Sequence, residues 1–411
     1  MLYRWIFVIG AVLFFVMWAI LLPSRLSGPI SETFTHDPGD YSAAAIHLVK
    51  EHFYSLDGVT PALEREPGYS FFLAVIYFVF GVENRFAIFA MQGLLYLFAS
   101  FFFVRSLDRR VTDRLIAPVC FILLLLLPSV YHMIFSAYRE SFALTLLLLI
   151  SGVFLDFLHQ PSWRSSCMLG CLLAYFSLTV VSFIFLPFFL LGLGYFLRCR
   201  LKFFLAPLFI PLVILSLWGL RNAHTTGHWQ LTGGVRSSAM WYVRGERSEH
   251  LRGIEPFRCL WSEYISRDWT GRSRQCSYIG ILNTRWPAGS TFGDPRVIAW
   301  GGQKKIVLYF PFYLWDSIFE VLELHLPYVN GWGFLYNALA ALSMVVLYVG
   351  SLFSIRSIWR REYAFFLLLI LYSTLSYSLT DATPRYLLPT IFCYAVLAAA
   401  GFTSMIRRIV R

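Results

Sequence analysis

Apolar runs long enough to cross a bilayer recur along this chain of 411 residues, and they limit what it can fold into. A transmembrane helix needs about 20 predominantly apolar residues, and a run of about 18 with few charges already indicates one. The composition agrees, because 58% of the residues are hydrophobic and 14% are charged. Soluble domains carry about 25% charged residues. The sequence therefore predicts an all-α polytopic membrane protein.

Ten candidate spans and the segments between them define one topology. The spans are 4–22, 86–104, 115–134, 141–158, 165–182, 183–198, 203–220, 332–354, 363–379 and 386–405. Short segments rich in arginine follow several of them, at 105–114, 198–202, 356–362 and 406–411. The positive-inside rule places such segments in the cytoplasm. Both termini are therefore predicted to be cytoplasmic.

For three apolar segments, length and composition do not directly show whether each is a membrane span. The first, 5–22, is longer than the usual signal-peptide core of about 7–15 residues and has no small-x-small cleavage site close behind it, so we expect a retained span. Segments 67–81 and 306–324 would break the alternation if they crossed the membrane. The former is short, and the latter has an acidic face. We expect both to be interfacial or re-entrant helices, with a tilted short span as the alternative.

This topology places four polar regions outside the cytoplasm, at 23–85, 135–140, 221–331 and 380–385. It divides the chain into an N-terminal transmembrane module, an extracytoplasmic insert with an interfacial helix, and C-terminal transmembrane helices, at 1–221, 222–331 and 332–411. The basic residues lie mainly at span ends and in the insert, so topology accounts for the net charge of +11. We expect no nucleic-acid partner. Cys259 and Cys276 are candidates for a disulfide if the insert meets an oxidising compartment.

The first external region carries two aspartates before a helix-forming stretch. Residues 41–53 have an apolar face at helical spacing, which predicts an amphipathic helix on the membrane surface. Asp40 or Ser42 suits the N-cap of that helix, and Asp37 suits a turn beside the Pro-Gly pair that follows it. In the alternative interpretation, one of the two aspartates is a general base or a metal-binding carboxylate.

Charged residues in the other external regions also have two interpretations. Arg139 and Glu140 form either a local solvated pair or a functional site, because charges between apolar spans are costly. Arg221 ends a span, where it either reaches the headgroups or binds an anionic group through its planar fork. Arg385 and Tyr386 suit contact with a charged headgroup or a pyrophosphate. No histidine spacing suits zinc, and no P-loop, Rossmann or Gly-x-Ser-x-Gly motif occurs.

Four stretches, in this order, resemble motifs of the GT-C superfamily of membrane glycosyltransferases. The similar group within it contains protein O-mannosyltransferases and the lipid A aminoarabinose transferase. HDPGDYSAAAIHL is similar to its first-loop pattern, an Asp four residues before a Tyr and then an Ala-rich helix. REPGYSFFLAVIYFVFG resembles its Arg-x-Pro-x-Tyr segment. LWGLRNAHTTGHW resembles its Trp-x-x-Arg-Asn-x-x-x-x-Gly exit from a span, and PRYLLP resembles its Arg-Tyr-x-x-Pro start of a late span.

The resemblance implies a GT-C-like fold and an inverting sugar transfer. The donor would be a sugar on a polyprenyl phosphate or diphosphate, and the acceptor a lipid, a glycan or a protein at the extracytoplasmic face. By the Asp-to-Tyr spacing, the catalytic acid of the family falls on Asp37. Asp40 is the second candidate. Glu140 stands where many members have an acid, which would support the base or bind a metal.

The implied chemistry assigns roles to further residues. The leaving phosphate needs positive charge where negative charge develops. The expected phosphate-binding residues are Arg65, Arg139, Arg221 and Arg385, and the expected substrate-positioning residues are Tyr41, Tyr69 and Tyr386. A bound Mg²⁺ or Mn²⁺ would assist the leaving phosphate, although the sequence does not require a cofactor. The shortness of the chain and the lack of a retention signal favour a bacterial inner membrane with a periplasmic active site.

Other classes of protein share the many spans and the external charges. A transporter or flippase of a lipid-linked or anionic substrate would carry ionisable residues near the bilayer midplane, where this chain has almost none. An O-antigen polymerase or ligase would depend on the external arginines more than on Asp37. A non-catalytic assembly subunit would not depend on Asp37 at all.

Overall fold

A computed structural model describes residues 2–27, 34, 37–63, 65–197, 200–227, 229, 231, 342–343, 345–354, 361–379 and 389–409. Several predicted features lie outside these ranges. They are most of the polar insert with Cys259 and Cys276, the acidic-faced segment 306–324, and the pair Arg385 and Tyr386. The side chain of Asp37 also lies outside the described part, although its backbone belongs to a helix.

The described chain is built almost entirely of α-helices. They are α1 (Leu2–Ser27), α2 (Asp37–Glu51), α3 (Pro67–Phe80), α4 (Arg85–Asp108), α5 (Ile116–Leu125), α6 (Pro128–Ile134), α7 (Arg139–His159), α8 (Trp163–Thr179), α9 (Leu186–Phe196), α10 (Leu205–Thr226), α11 (Arg361–Leu379) and α12 (Ile391–Ile409). Short 3₁₀ turns precede α9 and α10, at Val181–Phe183 and Leu201–Phe204. Within the described ranges, β pairing is limited to one isolated bridge, between Ser55 and Pro61.

Three helices of the described chain are long and apolar enough to cross a membrane. They are Arg85–Asp108, Arg139–His159 and Leu201–Thr225. Shorter apolar helices accompany them, among them Phe7–Pro23 and Pro67–Phe80. The protein is thus an integral membrane protein, as its composition predicts. The ten-span topology and the orientation of the termini stay predictions.

The predicted span 115–134 is divided into two helices. α5 ends at Leu125, and α6 begins at Pro128. A proline lacks a backbone N–H and fits the first turn of a helix, where that donor has no helical partner. Pro128 therefore marks a break that the apolar composition of the segment does not reveal.

Long-range packing joins α4 with α7, α7 with α8, and α8 with α10. On another side of the bundle, α5 packs against α1, α4 and α12. Aromatic rings hold the late helices to the early ones, since Phe103 of α4 lies 6.0 Å from the ring of Phe366 and 5.1 Å from that of Phe392. Large apolar side chains on α10, such as Phe209 and Leu212, stay exposed. Such a face suits contact with lipid.

The beginning of α2 differs from the sequence prediction. The helix begins at Asp37, so Asp40 lies within its first turn and is not an N-cap before Tyr41. Pro38 explains the difference, because a proline is tolerated in the first helical turn and its fixed φ suits a helix. The predicted apolar face is present, with Tyr41 and Ala45 buried. His52 lies beyond the end of the helix, with a φ of 57°.

Candidate active site

Charged side chains gather where α2, α3 and α7 begin. Asp40 lies in the first turn of α2, Arg65 and Glu66 directly precede α3, and Arg139 and Glu140 open α7. With Tyr41 they form what we call the Tyr41 cluster. Five of its six members are predicted site residues. Glu66 has no assigned role in the sequence prediction.

Tyr41 lies at the centre of this cluster and is buried. Its hydroxyl donates a hydrogen bond of 3.2 Å to Oε2 of Glu66. The guanidinium carbons of Arg65 and Arg139 each lie 5.8 Å from the centre of its ring, within the range of cation–π attraction. Burial raises the pKa of Tyr41 well above its usual value, and this effect exceeds the opposing effect of Arg139. The neutral hydroxyl is therefore the form that donates to Glu66.

The first ion pair of the cluster, Glu66 with Arg139, is largely buried. Nη1 of Arg139 contacts Oε2 of Glu66, and the exposed fractions of the two side chains are 13% for Arg139 and 14% for Glu66. Nε of Arg139 also lies 3.6 Å from Oε1 of Glu140, which is itself buried. The predicted local pair of Arg139 and Glu140 is thus only part of a larger group. Removing one member of a buried pair leaves a charge in a poorly solvated place, which is costly.

The second ion pair, Asp40 with Arg65, is more accessible. Nη2 and Nε of Arg65 lie 2.7 Å and 2.8 Å from Oδ2 of Asp40. The side chain of Asp40 is 43% exposed and that of Arg65 is 27% exposed. Exposed pairs of this kind contribute little net stability, because water solvates both charges well when the pair opens.

A buried glutamine lies beneath the cluster and is absent from the sequence prediction. Gln92 of α4 accepts hydrogen bonds from the hydroxyls of Tyr69, at 3.3 Å, and Ser141, at 2.6 Å. Its amide nitrogen donates to the carbonyl oxygen of Ile134 at 3.1 Å. The edge of the Tyr69 ring meets Tyr41, with the ring centres 5.5 Å apart. Gln92 therefore ties α3, α7 and the end of α6 together under the charged group.

The Arg-Glu-Pro-Gly-Tyr segment, 65–69, places several of these groups through its backbone. Pro67 begins α3, and the adjacent Gly68 lies against the end of α8. A Cβ atom at Gly68 would lie 2.8 Å from the backbone of Leu178 and Thr179, so only glycine allows this approach. The hydroxyl of Tyr175 donates to the carbonyl oxygen of Gly68 at 3.0 Å. The close contact fixes the start of α3, and with it Arg65 and Glu66.

Arg221 is held in a different way, by neutral partners. Its guanidinium donates to the carbonyl oxygen of Tyr54 at 3.1 Å and to Oδ1 of Asn222 at 2.9 Å. It also lies 5.0 Å from the ring centre of Trp218 and 5.7 Å from that of Tyr54. We call these four residues the Arg221 group. The hydroxyl of Tyr54 donates to the carbonyl oxygen of Arg65 at 3.2 Å, which links the group to the Tyr41 cluster.

The structure thus brings together seven of the predicted site residues and two that the prediction missed. The seven are Asp40, Glu140, Arg65, Arg139, Arg221, Tyr41 and Tyr69; the two are Glu66 and Gln92. A signal for Glu66 exists in the sequence, since it is the acid enclosed by Arg65 and Pro67 in the motif. The sequence signal for Gln92 is weaker, since it is only a lone amide inside an apolar helix. Burying such an amide costs free energy unless it is hydrogen-bonded.

The residues described here do not assemble a metal site. No group of three His, Cys, Asp or Glu side chains within the described ranges is close enough to hold an ion. The cluster carboxylates that would be candidates are engaged with guanidiniums instead. The predicted Mg²⁺ or Mn²⁺ stays a prediction.

Comparisons with known proteins agree on the fold. No protein-family profile and no curated protein sequence matches the chain. Among solved structures, the oligosaccharyltransferase of Archaeoglobus fulgidus, in a complex with Zn and sulfate, is similar with a TM-score of 0.54 and 13% identity over 98% of this chain and 49% of that one. This protein thus spans about half the length of that enzyme.

Two further solved structures are similar at low identity. The archaeal oligosaccharyltransferase AglB from Archaeoglobus fulgidus, with an inhibitory peptide and a dolichol-phosphate, has a TM-score of 0.50 and 15% identity over 99% of this chain and 51% of that chain. ArnT from Cupriavidus metallidurans, bound to undecaprenyl phosphate, has a TM-score of 0.42 and 14% identity over 97% of this chain and 79% of that chain. The fold of this protein is therefore similar to that of the archaeal oligosaccharyltransferase.

Proposed function

We propose that this protein is a membrane glycosyltransferase that moves a sugar from a polyprenyl-phosphate-linked donor to a lipid, glycan or protein acceptor. The observation that carries the proposal is the Tyr41 cluster, in which arginines and carboxylates from three segments meet on a GT-C fold. The similar archaeal oligosaccharyltransferase has been solved with a dolichol-phosphate. A ligand of that class has a long apolar chain, which the exposed apolar faces of the helices suit, and an anionic head, which the arginines suit.

The proposed reaction needs a base and a site for the departing phosphate. An acceptor hydroxyl or amine loses its proton to Asp37, and its oxygen or nitrogen bonds to the anomeric carbon with inversion. The bond between that carbon and the phosphate oxygen breaks, and the phosphate keeps the electron pair. Its added negative charge is stabilised by guanidinium groups that are already in position. Asp37 is assigned this role by its spacing to Tyr41, and Asp40 is the second candidate.

Arg221 supports the phosphate assignment through its charge. Its partners among the described residues are a carbonyl, an amide and two aromatic rings, none of which carries a negative charge. Its positive charge therefore acts on its surroundings without a carboxylate to cancel it. Tyr54 also donates a hydrogen bond to the backbone carbonyl of Arg65, which places Arg221 near the Tyr41 cluster. We propose that the donor phosphate is bound by four arginines, whose positive charges together stabilise its negative charge. They are Arg65, Arg139, Arg221 and Arg385.

Transfer in a reconstituted membrane tests this proposal. Purified protein in vesicles would receive a panel of radiolabelled polyprenyl-phosphate sugars together with lipid, glycan and peptide acceptors. We expect transfer with at least one donor, and a loss of about 10²-fold or more in Asp37→Asn, as is usual for removal of a general base. Asp57→Asn is the matched control, because Asp57 lies in the same external region and bonds only within its own turn among the contacts described.

These variants show which of the two aspartates acts as the general base. Full transfer by Asp37→Asn would contradict its role as the base, and a loss in Asp40→Asn alone would move the role to Asp40. A complete lack of transfer, together with no binding of polyprenyl phosphate, would contradict the proposed function itself. A topology reporter near residue 250 that reads cytoplasmic would contradict the predicted extracytoplasmic site.

A further inference from the structure

The two ion pairs of the Tyr41 cluster differ in how easily they can open. The side chains of Glu66 and Arg139 are largely buried, and Glu140 adjoins them. Opening that pair would leave charges in a place that water solvates poorly. Asp40 and Arg65 are both partly exposed, so water can solvate either group when the pair opens. Only the Asp40–Arg65 pair is therefore suited to exchange partners.

The formal charges of the cluster, counted over its described side chains, favour such an exchange when an anionic ligand binds. Arg65 and Arg139 contribute two positive charges, whereas Asp40, Glu66 and Glu140 contribute three negative charges. The cluster in this arrangement has no excess of positive charge to offer a phosphate. A guanidinium becomes available to an incoming anion when its carboxylate moves away.

We propose that the donor phosphate displaces the Asp40 carboxylate from Arg65, while the Glu66–Arg139 pair stays closed. The inference rests on the proposed function, because it takes the ligand to be a polyprenyl phosphate. The planar fork of Arg65 that now holds Asp40 through Nε and Nη2 suits phosphate oxygens equally well. Glu66 keeps Arg139 and the Tyr41 hydroxyl in place during the exchange.

The exchange gives Asp40 a function that neither a cap nor a base describes. Without donor, its carboxylate occupies Arg65 and balances the charge of that guanidinium. With donor bound, the carboxylate is released and becomes available to accept a hydrogen bond from another group. Binding would thus be ordered, with the donor first and any group that uses Asp40 second.

Direct binding of a lipid phosphate tests the exchange without any need for turnover. The probe is undecaprenyl phosphate, titrated into purified full-length protein in lipid nanodiscs. In Asp40→Asn the competing carboxylate is absent, so we expect the lipid to bind about twofold to fivefold more tightly than to the wild type, the range set by the strength of exposed ion pairs. The charge-retaining Asp40→Glu should bind like the wild type.

Two controls separate the exchange from general effects. Glu51→Gln removes the same charge from the other end of α2, and its affinity should stay unchanged, because Glu51 pairs with His47 and not with Arg65. The double variant Asp40→Asn with Arg65→Gln should lose the gain. If Asp40→Asn does not fold, Asp40→Ser removes the same carboxylate and provides the same measurement.

The possible results have distinct meanings. Unchanged or weaker binding in the neutral Asp40 variants, with normal binding in the wild type, would overturn the exchange and leave the proposed function intact. An equal gain in Glu51→Gln would also overturn the exchange, because it would show a general charge effect. Failure of the wild type to bind the lipid phosphate would overturn the proposed function and the exchange together.

Discussion

The Tyr41 cluster and the Arg221 group hold arginines near one another by opposite means. In the cluster, Arg65 and Arg139 contact carboxylates. In the Arg221 group, the guanidinium meets the carbonyl of Tyr54, the amide of Asn222 and two aromatic rings. A carboxylate fixes an arginine and cancels its charge, whereas neutral acceptors fix it and leave its charge in place. The charge of the arginine is therefore balanced locally in the first region, whereas in the second it is left to attract an anion.

The largest effect is expected when the largely buried arginine of the cluster is removed. Arg139→Ala leaves Glu66, which is largely buried, and Glu140, which is buried, without that guanidinium, and we expect a loss of about 3 kcal/mol in stability. Arg65→Ala is the matched control on the exposed pair, with an expected loss below about 1 kcal/mol. Thermal and denaturant unfolding of the purified proteins in detergent would measure both. Equal losses would show that burial does not distinguish the two pairs.

A second variant tests the uncharged support beneath the cluster. Gln92→Leu removes the acceptor of Tyr69 and Ser141 and the donor to Ile134. Buried polar groups that lose their partners are costly, so we expect about 2 kcal/mol of lost stability. Gln160→Leu makes the same change at an exposed position after α7 and should have little effect. Indistinguishable unfolding of the two variants would show that Gln92 does not tie the helices together.

A third variant separates charge from geometry in the Arg221 group. Arg221→Lys keeps the positive charge but cannot reach both acceptors while lying against the rings. We expect about 1 kcal/mol of lost stability, with the KM for a phosphate-linked donor nearly unchanged. Arg221→Gln should raise that KM, because the charge is gone. Arg109→Lys is the control, since Arg109 pairs with Asp156 in an exposed place. An unchanged KM in Arg221→Gln would exclude a role in donor binding.

The smallest effect is expected in the turn that follows Tyr54. Backbone N–H groups of Thr60 and Val59 hold the pKa of Asp57 well below its usual range. Because the folded pKa is depressed, the stabilising effect of Asp57 is present above the unfolded pKa of about 3.9 and is lost as the pH falls through the folded value. At pH values above about 5, the turn in Asp57→Asn should therefore open slightly more often than in the wild type. Below about pH 4, this difference between the two proteins should shrink.

Hydrogen exchange of residues 55–61 across that pH range measures this last effect. Glu51→Gln, which lies just before the turn, serves as the control for loss of an acid. A difference between Asp57→Asn and the wild type that grows as the pH falls would have the wrong sign for a depressed pKa. Such a result would show that the hydrogen bonds to Asp57 do not account for the stability of this turn.

Much of the candidate site is predictable from local patterns. The Asp-to-Tyr spacing points to Asp37 and Tyr41, with Asp40 as the second candidate, and the Arg-Glu-Pro-Gly-Tyr segment points to Arg65. The structure brings Asp40, Tyr41 and Arg65 together, and the side chain of Asp37 lies outside the described part. Local patterns also mislead. Asp40 suits an N-cap, yet α2 begins at Asp37, because Pro38 fits the first turn. Glu66 has no assigned role in the sequence prediction although it lies inside the motif, because its partner Arg139 is distant in the sequence.

Apolar membrane helices are predictable from the sequence of this chain, because helix formation and membrane partition depend on runs of neighbouring residues. The pairing of each carboxylate with a guanidinium instead depends on tertiary packing. Arg139 follows the prediction of a pair with its neighbour Glu140 only in part, since its closer contact is with Glu66, 73 positions away. Such a pairing depends on where α2, α3 and α7 begin relative to one another. Packing at Gly68 and the bonds of Gln92 set those positions, and both depend on contacts between distant segments.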